Sequence, residues 1–285
     1  MILIFGYLGF NNYGDELLAQ ILTEKLLVNK PDEVIEHLSK KNTSIEHFQK
    51  LVKAKEIYAI GGMFQDLSSY ASPLYYFFVL LFAKALGKKI IIEAQGLGPL
   101  NYWFNRQFAK TIFRLADEVS VRNSYSSDLL KEWGVKHQVV PDLAWKLKEK
   151  FEDYNSHVIA SPRSGRGNPV FEKFSDDEKY LFISLKSSNT IGMLTLPITK
   201  KIVFLEMQDG DHFLHEKLAK DLNLKDEQCI FIEAKNYQPE ELIYILKNYC
   251  SKLITMRFHA MIMGQIAAIE VEVLNPNNDP KLYLI

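Results

Sequence analysis

The stretch Ile2-Leu3-Ile4-Phe5-Gly6-Tyr7-Leu8-Gly9-Phe10-Asn11-Asn12-Tyr13-Gly14-Asp15-Glu16 decides the fold. A short apolar run passes into a turn that carries three glycines, and a helical pattern follows at once. After Asp15, residues Leu18, Leu22 and Leu26 recur every fourth position with Ile21 beside them, which draws one apolar stripe along a helix. A strand that is apolar at every position is buried on both faces, as in a parallel sheet covered by helices. The glycines let a ligand approach the turn and the amino terminus of the helix. Their spacing is not G-x-G-x-x-G, so the dinucleotide fingerprint is missing. Asp15 also reads simply as a helix cap.

The alternation continues outward from this unit. Strands are expected at Val34 to Leu38, Ile57 to Ile60, Ile90 to Ala94, Val119 to Val121 and Val139 to Val140. Helices are expected at Trp103 to Leu115 and at Ser126 to Trp133, the second stopped by Gly134. A charged stretch, Lys146 to Asp153, breaks the pattern and reads as a linker. Beyond it, strands are expected at His157 to Ala160, Ile202 to Glu206, Cys229 to Ile232, Leu253 to Met256 and Val271 to Leu274. Helical segments near Asp177 to Leu185, His212 to Leu222, Pro239 to Lys247 and Ala260 to Ala268 separate them. The expected architecture is α/β, with two Rossmann-like domains over residues 1–148 and 149–285 facing each other across a cleft.

Bulk properties agree with this and exclude several classes. A chain of 285 residues exceeds what one core usually fills. A composition of 47% hydrophobic and 24% charged residues excludes disordered and fibrous proteins. A formal net charge of -1 argues against a general nucleic-acid binder, though not against a local pocket for one small anion. Cys229 and Cys250 are too few for a disulfide scaffold, which fits a reducing compartment. The apolar start, Met1 to Phe5, is too short for an export signal, so a cytoplasmic location is expected. The run Leu74 to Ala83 is half a membrane span; it reads first as a buried helix and second as a contact with a membrane surface.

In open α/β sheets ligands bind beyond the carboxyl ends of strands, so the residues that follow each strand are the candidates. Asn12 and Asp15 follow the first strand, Gly61-Gly62-Met63-Phe64-Gln65-Asp66 the third, Gln95-Gly96-Leu97-Gly98-Pro99 the fourth and Arg122-Asn123-Ser124 the fifth. Arg122 is placed either to meet an anion or as a surface arginine. In the second half the corresponding segments are Ser161-Pro162-Arg163-Ser164-Gly165-Arg166-Gly167 and Thr255-Met256-Arg257-Phe258-His259. Residues two apart at a strand end share a side, so Arg257 and His259 can serve one ligand. A guanidinium grips phosphate or carboxylate as a fork, and an adjacent histidine is a candidate acid. His37, His47, His137, His157, His212 and His215 read as structural. No H-E-x-x-H, C-x-x-C or carboxylate cluster suggests a metal.

These segments, in this order, together with Val121-Arg122, Pro141-Asp142 and Asp279-Pro280-Lys281, resemble the polysaccharide pyruvyltransferase family, particularly its CsaB type, from residue 1 to residue 281. The resemblance implies a GT-B-like fold and transfer of the enolpyruvyl part of phosphoenolpyruvate to a glycan, closing a pyruvate ketal with release of phosphate. It implies a lipid-linked cell-wall precursor ending in N-acetylmannosamine as acceptor, presented at the membrane surface; a cytoplasmic enzyme peripheral to the inner face of the membrane is the expected location. It implies no cofactor beyond the donor, while the charge and the short apolar run predict no nucleic acid and no transmembrane segment. His259 is then the expected general acid, with Arg122 and Lys281 completing the catalytic set. Arg257, Arg163, Asn12, Asp15, Asp66, Gln95 and Gly96 are the expected substrate contacts.

Met63 stands where a third glycine is usual in that family, and Asn123 where an aspartate is common, so the loss of a capping or orienting charge is expected. Relatives continue past the position of Ile285, so the second domain is expected to be cut short at its C-terminal end. Two other readings stand beside this one: a GT-B glycosyltransferase using a nucleotide sugar, and a non-catalytic glycan-binding remnant.

Overall fold

The computed structural model describes residues 1–67, 69–160, 174–175, 178–186, 201–274, 279 and 282. The chain divides into two compact units, residues 1–143 and 144–277, with Asp279 and Leu282 grouped with the first. Among the described residues each unit carries one wholly parallel sheet.

The first unit runs β1 (Ile2–Phe5), α1 (Tyr13–Asn29), β2 (Ile35–Leu38), α2 (Ser44–Lys53), β3 (Glu56–Ile60), α3 (Ser72–Ala85), β4 (Lys89–Gln95), α4 (Trp103–Leu115), β5 (Glu118–Val121), α5 (Ser124–Glu132) and β6 (Gln138–Val139). Its strand order is β2-β1-β3-β4-β5-β6, so the direction of winding reverses between β1 and β3. All four residues of β1 are buried, as its unbroken apolar run requires. Alternate strand positions, among them Leu3, Phe5, Ile57, Ala59, Ile90, Ile92, Val119 and Val121, share one core with Phe77, Leu80, Ile112, Phe113 and Trp133 from the helices. The reading of this half from its apolar periodicity agrees with every strand, and with the helices Trp103 to Leu115 and Ser126 to Trp133 to within two residues.

The second unit runs α6 (Leu147–Ala160), β7 (Tyr180–Ser184), β8 (Ile202–Glu206), α7 (Asp211–Asp221), β9 (Cys229–Glu233), α8 (Pro239–Tyr249), β10 (Cys250–Thr255), α9 (Phe258–Ile266) and β11 (Val271–Val273). The order is β11-β10-β7-β8-β9, which puts the reversal between β10 and β7. A second core gathers Leu181, Ile183, Ile202, Phe204, Ile254 and Met256 under Leu218 and Ala219 of α7.

Three expectations fail here. Lys146 to Asp153 is not a linker: a 3-10 turn, Leu143–Lys146, runs directly into α6. Leu147 and Phe151, four apart, are buried, and Lys247 lies over the Phe151 ring at 5.4 Å. The charges between them occupy the outer side of an amphipathic helix. His157 to Ala160 ends that helix and is not a strand. Asp177 to Leu185 is not a helix, because its Tyr180–Ser184 core forms β7, buried at all five positions between two neighbouring strands. The acidic residues ahead of it imitate a helix start, and the apolar run of five is a central strand.

The greasy run Leu74 to Ala83 lies in α3 and is buried on one side only: Tyr76, Phe77, Leu80 and Ala83 face the core. Among the described residues no helix is long and apolar enough to cross a membrane.

Candidate functional site

At the reversal point of the first sheet, the chain leaves β1 through Gly6 and β3 through Gly61. A Cβ at Gly61, where φ is +85°, would stand 2.8 Å from Oδ1 of Asp15, so only glycine admits the carboxylate of α1's first turn. Asn12 caps α1, its Oδ1 accepting from Gly14 N at 3.1 Å, and Glu16 accepts from Gly9 N at 2.6 Å. These two shape the loop, while Asp15 crosses to the neighbouring strand end. Asp66 is buried; its oxygens accept from Asn101 N (2.8 Å), Tyr102 N (2.9 Å) and Asn105 Nδ2 (3.3 Å), which ties down the start of α4.

Gln95 ends β4 and is fully buried, and among the described residues neither its Oε1 nor its Nε2 has a hydrogen-bond partner. Next to it, a Cβ on Gly96 would lie 2.7 Å from Arg122 Nε and 2.8 Å from Nη2, so the guanidinium rests against the glycine backbone. Arg122 Nη1 donates to Asp142 Oδ2 at 2.6 Å, with side-chain exposures of 3% and 2%. Arg122 is therefore no surface arginine; it lies in a buried ion pair. Asn123 caps α5, its Oδ1 accepting from Ser126 N at 2.9 Å. The cap thus survives without the aspartate common at that position.

In the second unit the reversal point lies between Ser184, the last residue of β7, and Thr255, the last of β10, which are register partners. Thr255 Oγ1 donates to Ser184 O at 3.1 Å and accepts from Arg257 N at 2.9 Å, fixing the backbone from which Arg257 departs. Arg257 Nη1 donates to Gln208 Oε1 at 3.0 Å and Nη2 to Asp211 Oδ1. The other Asp211 oxygen accepts from Met207 N (3.0 Å) and Gln208 N (3.1 Å). Burial raises the Asp211 carboxyl's pKa, against the opposing pull of Arg257 and those two amides. Arg257 Nε and the Ser184 hydroxyl are buried and have no partner among the described residues.

His215 is fully buried and accepts from Leu185 N through Nε2 at 3.2 Å, a bond that assigns the ring proton to Nδ1. Burial first, then the charges of Arg257 and His212, push its pKa down to about 3. His259 stands half-buried in the first turn of α9, its ring edge-on to Phe258 at 5.2 Å.

The structure thus brings Arg257 and His259 to one strand end, and Gln95, Gly96 and Arg122 to another. Arg163 and Lys281 lie outside the described residues. Sequence reasoning missed Ser184, Gln208, Asp211 and His215 as members of this surrounding. Asp211 follows β8 and was open to the strand-end rule, but it also reads as an ordinary acid at a helix start. Ser184 was hidden because its strand read as a helix. Among the described residues no cluster of three or more His, Cys, Asp or Glu side chains is arranged to hold a metal.

Two parallel α/β units with buried polar groups at their strand ends define a protein of two Rossmann-like domains. Its fold is similar to UDP-GlcNAc 2-epimerase from Neisseria meningitidis bound to UDP-GlcNAc, with a TM-score of 0.54 at 10% identity over 99% of this chain and 84% of that one. It is also similar to MnaA of S. aureus in complex with UDP, with a TM-score of 0.55 at 15% identity over 96% of this chain and 78% of that one. No curated protein matches the chain in sequence. The chain belongs to the polysaccharide pyruvyl transferase family, whose model matches residues 12–277.

Proposed function

We propose that the protein transfers pyruvate from phosphoenolpyruvate to a hydroxyl pair on a cell-wall or surface glycan, forming a cyclic ketal and inorganic phosphate. The observation that carries this reading is Arg257 beside His259 at the reversal point of the second sheet, with the guanidinium held in place by Gln208 and Asp211. The donor is a small anion with a carboxylate and a phosphate, and a fixed guanidinium suits either. His259 gives a proton to the methylene carbon, which becomes the ketal methyl. The adjacent carbon gains oxocarbenium character, one sugar hydroxyl adds to it and loses its proton, and the second hydroxyl displaces phosphate. Arg163 and Lys281 are assigned as further cations for the donor. In the first unit, the buried amide of Gln95, without a partner among the described residues, supports a substrate contact there. The acceptor in this reading is lipid-linked and presented at the cytoplasmic face of the membrane, and no cofactor takes part.

In His259→Ala, phosphate release from phosphoenolpyruvate with acceptor is expected to fall by ~10²–10⁴, the usual worth of a general acid. Near-normal turnover would remove His259 from the mechanism. Both solved structures above hold a uridine nucleotide, which favours a nucleotide-sugar glycosyltransferase as the second reading. Thermal shift decides between them: stabilisation by phosphoenolpyruvate is expected, and stabilisation by UDP-sugars alone would overturn the choice.

A further inference from the structure

α2 and α3 each carry apolar residues that the core does not use. α2 buries Leu51 and leaves Ile45 (70% exposed), Phe48 and Val52 outside; α3 leaves Tyr75, Phe78 (58%) and Phe82 outside. Both outer sets follow i, i+3, i+7 spacing, so each is a continuous line along its helix. The lines join: the Phe48 and Phe82 rings are 6.1 Å apart, and Phe78 lies 6.3 Å from Phe108 of α4. Further exposed rings stand near the starts of α3 and α4: Tyr70 and Tyr102, 6.2 Å apart, and Trp103 (75%). α3 and α4 contain no carboxylate and α2 contains one, Glu46, whereas α3 and α4 hold Lys84, Arg106, Lys110 and Arg114 and α2 holds Lys50 and Lys53. Lys84 and Arg106 reach acids on neighbouring elements, Asp117 and Glu132, while Lys110 and Lys53, which ends α2, have no ion pair among the described residues.

We infer that this face of the first unit docks on an anionic lipid bilayer. Exposed Phe, Tyr and Trp rings on helices that also carry lysines match the boundary between headgroups and acyl chains. The charge decides between occupants. A second copy of the chain, docked isologously, would oppose this cationic surface with itself, whereas anionic headgroups complement it. The starts of α2, α3 and α4 lie at the carboxyl ends of the strands, so the Tyr70, Tyr102 and Trp103 end of the patch adjoins the ligand edge of the first sheet. Resting on the reading of a lipid-linked acceptor, the patch brings that edge to the membrane where the acceptor's head group emerges.

The experiment is co-sedimentation of the full chain with phosphatidylcholine vesicles with and without phosphatidylglycerol, in the absence of substrate. Binding is expected only with phosphatidylglycerol and falls as salt rises. The triple variant Phe48→Gln/Phe78→Gln/Phe82→Gln is expected to lose binding by on the order of tenfold or more. It is expected to keep the wild-type circular dichroism spectrum and phosphate release with a lipid-free acceptor. A second variant, Lys53→Gln/Lys110→Gln, leaves the rings in place and is expected to weaken binding less and to flatten its salt dependence. Equal sedimentation of wild type and triple variant overturns the inference. So does a wild-type dimer in sedimentation velocity that the triple variant abolishes, since the face would then join two copies. Vesicle binding without turnover would sink the pyruvyl-transfer reading alone, and turnover without vesicle binding would sink the docking surface alone.

Discussion

Arg122 stands at a strand tip where a cation would suit an anionic donor, and its neighbours hold the guanidinium in place. Asp142 takes Nη1, and the guanidinium plane lies against Gly96. Both charged groups are nearly out of solvent, so removing one leaves the other in a medium that does not support an isolated charge. Arg122→Ala is expected to destabilise the protein by about 3–5 kcal/mol, read as a lower urea midpoint. Weakened donor binding with an unchanged midpoint would show that the pair is dispensable to the fold. Strand-end reasoning found Arg122, Gln95, Gly96, Arg257 and His259, because a residue that follows a strand is identified by local pattern. It did not find that Asp142 and Asp211 hold the two arginines. Those partners are 20 and 46 residues away, beyond any local period.

At the scale of elements, His215 joins α7 to the end of β7 by accepting the Leu185 amide, and a protonated ring cannot accept it. Its pKa in the folded chain is about 3, against an ordinary 6.5. Between those values the unfolded chain binds a proton that the folded chain does not. The contribution is therefore complete above pH 6.5 and is lost as pH falls toward 3, at about 1.4 kcal/mol per pH unit where the difference is full. His212 acts in the opposite sense, since Glu206 raises its pKa, so the comparison has to be with a variant. His215→Gln keeps an acceptor and cannot titrate. Its stability, by denaturant titration at a series of pH values, is expected to fall less steeply below pH 6.5 than the wild type's. Parallel slopes would show that another group controls that window. Elements themselves were legible where apolar period and length agreed, as in β1, α1 and α4. They were misread at α6 and β7, where charges beside a short apolar set carried the wrong signal and only packing decided.

For the whole molecule, two cores follow from two sheets, one centred on Ile57, Ile92 and Phe113, the other on Ile183, Phe204 and Leu218. Ile183 is fully buried, and truncating such a side chain costs about 2–5 kcal/mol. Ile183→Ala is expected to speed hydrogen exchange in β7, β8 and β10 while amides of β1, β3 and β4 keep their protection. An equal rise in both units would mean that the chain unfolds as one cooperative body. The sequence by itself determined the parallel α/β character, most strand positions and which polar residues stand at the strand ends, because period, apolar run length and turn composition are short-range properties. Only the tertiary structure decided which cations already have buried partners and which apolar stripes of α2 and α3 stay outside. Both depend on distances and burial between residues far apart in the chain, and a hydrophobic stripe looks the same in sequence whether a core or a bilayer receives it.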